Sequence, residues 1–105
     1  MRPAALTIIA ASMLLAAESV PAANQVVGAA PKGDATAVAV RIIKRQFPRC
    51  QRVSAAARNP NDGSIRAKCD GTDYVVLTVF NASIAKTREV ALECSAAKSL
   101  FNVSC

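Results

Sequence analysis

Cys50, Cys69, Cys94 and Cys105 are the residues of this chain with the most chemistry open to them, and no histidine accompanies them. Their spacings are C-x18-C, C-x24-C and C-x10-C. A thioredoxin-type redox pair requires C-x-x-C, which these spacings lack. Structural zinc sites draw on ligand pairs about two to four residues apart, and none exists here. Two structural disulfides remain. Four cysteines allow three connectivities. Cys50 enters one expected strand and Cys69 ends the next, so a hairpin turning at Asn61 brings them together. A short helix after Cys94 folds Cys105 back onto it. The expected pairs are therefore Cys50–Cys69 and Cys94–Cys105.

Acid–base catalysis has few players. Without histidine, Ser-His and Cys-His nucleophile systems cannot be assembled. Asp62, Asp70 and Asp73 belong to turn signals. Glu89 and Glu93 are placed on an outward strand face, roughly 13 Å apart by strand rise. Glycosidase carboxylate pairs lie about 5–9.5 Å apart. No catalytic residue, cofactor or metal is expected, and the chain reads as non-enzymatic. Asn81-Ala82-Ser83 and Asn102-Val103-Ser104 match the glycosylation acceptor pattern. The alanine-rich leader has a bacterial character, so these matches are read as chance.

Residues 1–22 read as a secretory signal peptide: Arg2, then an apolar stretch with Leu6, Ile8, Ile9, Met13, Leu14 and Leu15, then small residues at Val20-Pro21-Ala22. The run is too short for a membrane span of about 20 apolar residues. The expected location is periplasmic or secreted, where disulfides persist. Removal of the signal takes one cation, Arg2, and one anion, Glu18, so the net charge of +6 is unchanged. The remaining chain holds one small domain. Its aromatic content is 4%, so its core is thin. A disulfide closing about ten to twenty residues contributes about 2.5–3 kcal/mol, comparable with much of a small domain's roughly 5 kcal/mol.

Arg41, Lys44, Arg45, Arg49, Arg52 and Arg58 fall between Asp34 and Asp62 with no acid among them. A basic stretch favours anionic partners, or serves solubility. Arg41, Lys44, Arg45, Arg49 and Arg52 are the candidate anion contacts, expected to share one outer region. Export argues against nucleic acid as the partner.

These residues need elements to position them. Residues 23–33 carry Gly28, Pro31 and Gly33 with no sustained period, which predicts a flexible leader. Asp34 is placed as the N-cap of a helix over 35–46, with an apolar stripe of Ala35, Ala39, Ile42, Ile43 and Phe47. Pro48 stops it. Val53, Ala55 and Ala57 alternate as the inward side of a strand. Residues 59–63, Asn-Pro-Asn-Asp-Gly, form a turn. Ile65, Ala67 and Cys69 face inward on the second strand, and Asp70-Gly71 makes a tight turn. Residues 74–80 give a third strand, read as buried on both faces. Residues 88–94 give a fourth, with Val90, Leu92 and Cys94 inward. Ser95 caps a short final helix. The fold class is α+β: an N-terminal helix on a three- to four-stranded antiparallel sheet, a short C-terminal helix and two disulfides, spanning residues 34–105.

Phe47-Pro48, Val53, Asp62-Gly63 and Gly71-x-x-Tyr74-x-Val76, following a helix, resemble the PepSY-like layout. The match covers about residues 36–79. The four cysteines and the cysteine-closed C-terminal segment depart from that pattern. The resemblance implies an exported helix-on-sheet module that binds or inhibits partners, with no catalytic residues to carry over. Two functional expectations follow: a protein-interaction or inhibitory module, or a cationic binder of an anionic cell-envelope component.

Overall fold

The computed structural model describes residues 24–105. The expected signal peptide, residues 1–22, lies outside the described residues. The element order is β1 (Gln25–Gly28), α1 (Ala35–Gln46), β2 (Val53–Arg58), β3 (Ile65–Cys69), β4 (Thr72–Asn81), β5 (Lys86–Glu93) and α2 (Cys94–Phe101). This is the expected α+β class, with a fifth strand and both expected disulfides.

β4 is the spine of an antiparallel sheet. Its first half pairs β3 and its second half pairs β1 along the same flank. β5 takes the other flank, and β2 lies outside β3. The Asp70-Gly71 hairpin is as tight as expected. Cys69 pairs directly with Thr72, and both intervening residues have positive φ, the type I′ geometry that Asp-Gly favours.

α1 starts at Asp34, whose carboxylate accepts the Ala37 N–H at 2.9 Å. It buries Val38, Ala39, Ile42 and Ile43 against Ile65, Ala67, Tyr74, Val76 and Ala91 on one face of the sheet. The opposite face is not open. Val75, Leu77, Val79 and Val90 pack beneath Ala97 and Phe101 of α2, and beneath Val103. β4 is therefore buried on both faces, which accounts for its unbroken apolar run.

Four expectations need correction. The leader is not structureless throughout, because Gln25–Gly28 pairs in register with residues 78–81 of β4. Two adjacent valines gave no period to read, and the ordering comes from a distant strand. In β2 the alternation breaks at a bulge, where Ala55 has φ 54° and the register shifts between Ser54 and Ala57. Val53 and Ala56 thus face the core, while Ala55 and Ala57 are exposed. In β5 both faces are used. Val90 and Leu92 turn toward α2, whereas Ala91 is fully buried under α1, so Glu89 lies on the α1 side. Cys94 opens α2 instead of ending β5, and Glu93 occupies the cap position without a side-chain cap bond; Ser95 is inside the helix.

Candidate functional site: a disulfide-walled cleft and a basic helix face

The end of α1 builds a cleft. Pro48 turns the chain after Phe47, and the Cys50 N–H closes that turn onto the Phe47 carbonyl at 2.9 Å. Two residues after Pro48, the Cys50–Cys69 disulfide ties this exit to the end of β3, with 5.8 Å between Cα atoms. Both sulfur-bearing residues are buried. Phe47 stacks at a tilt on Tyr74 of β4, with ring centroids 4.8 Å apart. Between these groups opens a cleft of about 380 Å³, with Phe47, Pro48, Tyr74 and the disulfide as apolar wall and Gln46, Arg49, Asp70 and Thr72 as polar rim.

The rim carboxylate already has partners. Asp70 accepts the Gln51 N–H at 3.0 Å and the Arg52 N–H at 3.2 Å. It pins the α1–β2 connection over the hairpin and is not a free base. Burial raises the Tyr74 phenol above its ordinary value, and the charges of Glu93 and Asp70 push the same way. Tyr74 therefore stays neutral and offers an aromatic face with a hydroxyl.

The five candidate anion contacts divide. Arg41 and Arg45, one turn apart on α1, both reach Glu89 of β5, with Arg41 Nη1 at 2.7 Å and Arg45 Nη2 at 3.0 Å from Oε1. A second Arg41 bond, from Nη2 to Oε2 at 3.3 Å, makes that contact two-pronged. The two guanidiniums hold the Glu89 carboxyl below the usual carboxylate range, Arg41 first, and the hydrogen bond to Glu89 raises Arg41. Lys44, Arg49 and Arg52 are exposed and take part in no ion pair among the described residues. Of these, Arg49 lines the cleft.

Arg58, the last cation of the basic stretch, has a structural job that its sequence context does not announce. Its guanidinium donates to the carbonyls of Ala30, Pro31, Gly33 and Gly63 at 2.8–3.2 Å. It staples the β1–α1 connection to the β2–β3 turn. Gln46 was likewise invisible as a contact residue. Its amide bonds the backbone of Ala91 in both directions.

Asp62 and Asp73 are also engaged in local structure. Asp62 accepts from the Ser64 N–H at 2.9 Å and its hydroxyl at 2.7 Å. These bonds, with Arg66 nearby, outweigh burial and hold it below the ordinary aspartate value. Asp73 pairs with Lys68 at 2.7 Å. Among the described residues no three cysteine or acidic side chains converge as metal ligands would. Asn81 is spent on its turn, accepting the Ser83 N–H at 2.9 Å, and Asn102 is the left-handed residue that ends α2. No described helix is long and apolar enough to cross a membrane. Compared with known proteins, the chain matches no family model, no curated protein and no solved structure.

Proposed function

We propose that this chain is an exported, non-enzymatic interaction module, inhibitory or accessory, that docks an acidic protein partner through the cleft below the end of α1. The observation that carries the reading is the cleft itself: apolar walls fixed by a buried disulfide, with Arg49 on the rim. Its volume of about 380 Å³ falls at the small end of ligand pockets, enough for one or two side chains of a partner. A net charge of +6 favours an acidic one. Two disulfides in a domain with so thin a core support periplasmic or secreted life. The placement of Phe47 over Tyr74, and of Tyr74 and Val76 beneath α1, supports the PepSY-like reading of the layout.

The test is an NMR titration of the oxidised protein with a short peptide bearing one phenylalanine flanked by aspartates. The expected shifts centre on Phe47, Arg49, Thr72 and Tyr74, and Arg49→Glu weakens binding at least tenfold. Shifts spread over the whole surface, or none, would sink the proposal.

The alternative function, binding of an anionic cell-envelope component, is favoured by one observation: Lys44, Arg49 and Arg52 are exposed cations without ion pairs among the described residues. Its test is co-sedimentation with vesicles containing anionic lipid. Retention that fades steeply with salt supports it, and no salt-sensitive retention rejects it.

A further inference from the structure

The sheet has three outer strands among the described residues: β2, β5 and β1. Outer strands invite unwanted pairing and are normally blocked by charge, bulges or covering groups. Two of the three carry such devices. β2 is bulged at Ala55 and ends in Arg58. β5 carries Lys86 and Arg88, and its backbone at Ala91 is capped by the Gln46 amide. β1 has neither. Its four residues are uncharged and its register with β4 is unbroken; Asp62, Ser64 and Val103 line a small hollow beside Val27 and Gly28, but no described strand pairs with the outer edge of β1.

Among the described residues β1 pairs on one side only, with β4. Because β1 and β3 lie end to end along one flank of β4, and β2 pairs only β3, no strand among the described residues lies beside β1 in the rank of β2. Asn24 accepts the Ala82 N–H at 2.9 Å. This sets the alternation of the ladder: Asn24, Val26 and Gly28 bond toward β4, while Gln25 and Val27 direct N–H and C=O outward. Apolar side chains stand exposed on both faces of this edge. Val26, 60% exposed, sits directly opposite Phe80, 39% exposed, and Val27, on the other face, is 37% exposed.

We propose that β1 is a β-augmentation site that accepts an extended segment of a partner protein, with β-branched or aromatic residues at alternate positions and acidic or neutral flanks. Main-chain bonds to Gln25 and Val27 give the affinity, and the Val26–Phe80 patch reads the partner's alternate side chains. A second copy of this chain is a poor occupant. It would set a second net charge of +6 beside the first. A pairing of four residues per copy also falls far short of the roughly 20–30 residues a side that a stable dimer uses. This surface is separate from the cleft, since none of the cleft-lining residues belongs to β1.

The experiment is residue-resolved amide exchange on the oxidised protein, with a peptide alternating valine and threonine between terminal glutamates as probe. The expected result is at least tenfold slower exchange at Gln25 and Val27, with shifts at Phe80. Val27→Pro removes an outward N–H that β4 does not use, and edge strands tolerate proline. It should weaken the peptide at least tenfold while the Val26 amide stays protected. Val26→Lys, which leaves the backbone donors in place, should weaken it through the Val26–Phe80 patch. No added protection at Gln25 and Val27, or peptide affinity unchanged in both variants, overturns the proposal. So does concentration-dependent protection of these amides without peptide, which would make the occupant a second copy.

Discussion

The side chain of Gln46 and the backbone of Ala91 form a closed hydrogen-bonded pair. Gln46 Nε2 donates to the Ala91 carbonyl at 3.1 Å, and the Ala91 N–H donates to Gln46 Oε1 at 2.7 Å. The amide thus imitates one residue of a neighbouring strand along the outer edge of β5. It also locks the last turn of α1 to the sheet, one residue before Phe47 enters the cleft wall. Two neutral hydrogen bonds contribute about 1 kcal/mol each, so Gln46→Ala should destabilise by about 1–2 kcal/mol in urea unfolding. Gln46→Glu tests the direction of the bonds. A carboxylate still accepts the Ala91 N–H but repels its carbonyl, so this variant should regain stability as pH falls and the carboxyl protonates. A Gln46→Glu protein that loses stability faster than the parent on acidification would refute the pairing.

Glu89 gives the acid limb of stability. Its folded pKa is depressed by Arg41 and then Arg45. The interaction is therefore fully present above the unfolded glutamate value, about 4.3, and is lost as pH falls through the lower folded value. Asp62, depressed by Ser64, acts in the same direction over the aspartate range. The difference in unfolding free energy between parent and Glu89→Gln should be positive at pH 6 and vanish near pH 2. It should also shrink in about 1 M salt, where exposed charges are screened. A difference that persists at pH 2 would mean that the glutamine disturbs packing and not charge.

The two disulfides should differ in accessibility more than in strength. They close spans of 19 and 11 residues, each worth about 3 kcal/mol in the chain-entropy model. Cys50 and Cys69 are buried against Phe47 and Tyr74, whereas Cys105 is exposed. Mild reduction followed by alkylation should label Cys94 and Cys105 first, while the cleft keeps its shape. Replacing both Cys50 and Cys69 with alanine should cost about 3 kcal/mol or more and abolish peptide-induced shifts at the cleft. Equal labelling of all four cysteines would contradict the burial difference.

Arg58 should be irreplaceable by lysine. Its planar fork serves four carbonyls from two chain segments, and one ammonium cannot span them. Arg58→Ala removes charge-assisted bonds and should destabilise by about 2–3 kcal/mol, with Arg58→Lys recovering less than half. Loss of exchange protection at the Ala30 amide, which bonds the Gly63 carbonyl at 3.0 Å, is the local readout. A lysine variant as stable as the parent would show that the staple is decorative.

How much of this was legible in the sequence follows from how local each signal is. α1 was readable because stripe, Asp34 cap and Pro48 stop lie within fourteen or so residues and agree. The disulfides were readable because a hairpin and a short helix bring their ends together. β1 was not, since a four-residue Gln-Val-Val-Gly strand has no order apart from β4. The facing of β5 is not legible because apolar residues occupy both parities: Val90 and Leu92 suggest one core face, and the small Ala91 conceals the other. The basic stretch looked uniform because its divider, Glu89, sits far along the chain. Arg58 looked like its neighbours for the same reason, as four backbone carbonyls leave no mark in a sequence.

The division of the basic residues separates the two functional readings by substitution. Glu89→Gln releases Arg41 and Arg45 from their shared partner and so adds two unpaired cations to the exposed Lys44, Arg49 and Arg52. If the protein works by adhering to an anionic envelope component, vesicle retention should strengthen in Glu89→Gln and weaken in Arg41→Gln/Lys44→Gln/Arg45→Gln. Its dependence on salt should steepen with each cation exposed. If the cleft is the working site, Glu89→Gln should leave the affinity for an acidic peptide within about twofold, because rim charges outside the pocket steer encounter more than they hold the complex. Arg49→Gln should then account for most of the loss. Both ligands are measured against all three variants and the parent, at low and at physiological salt. The cleft reading fails if Arg49→Gln leaves peptide binding unchanged, and the envelope reading fails if releasing Arg41 and Arg45 adds nothing to retention.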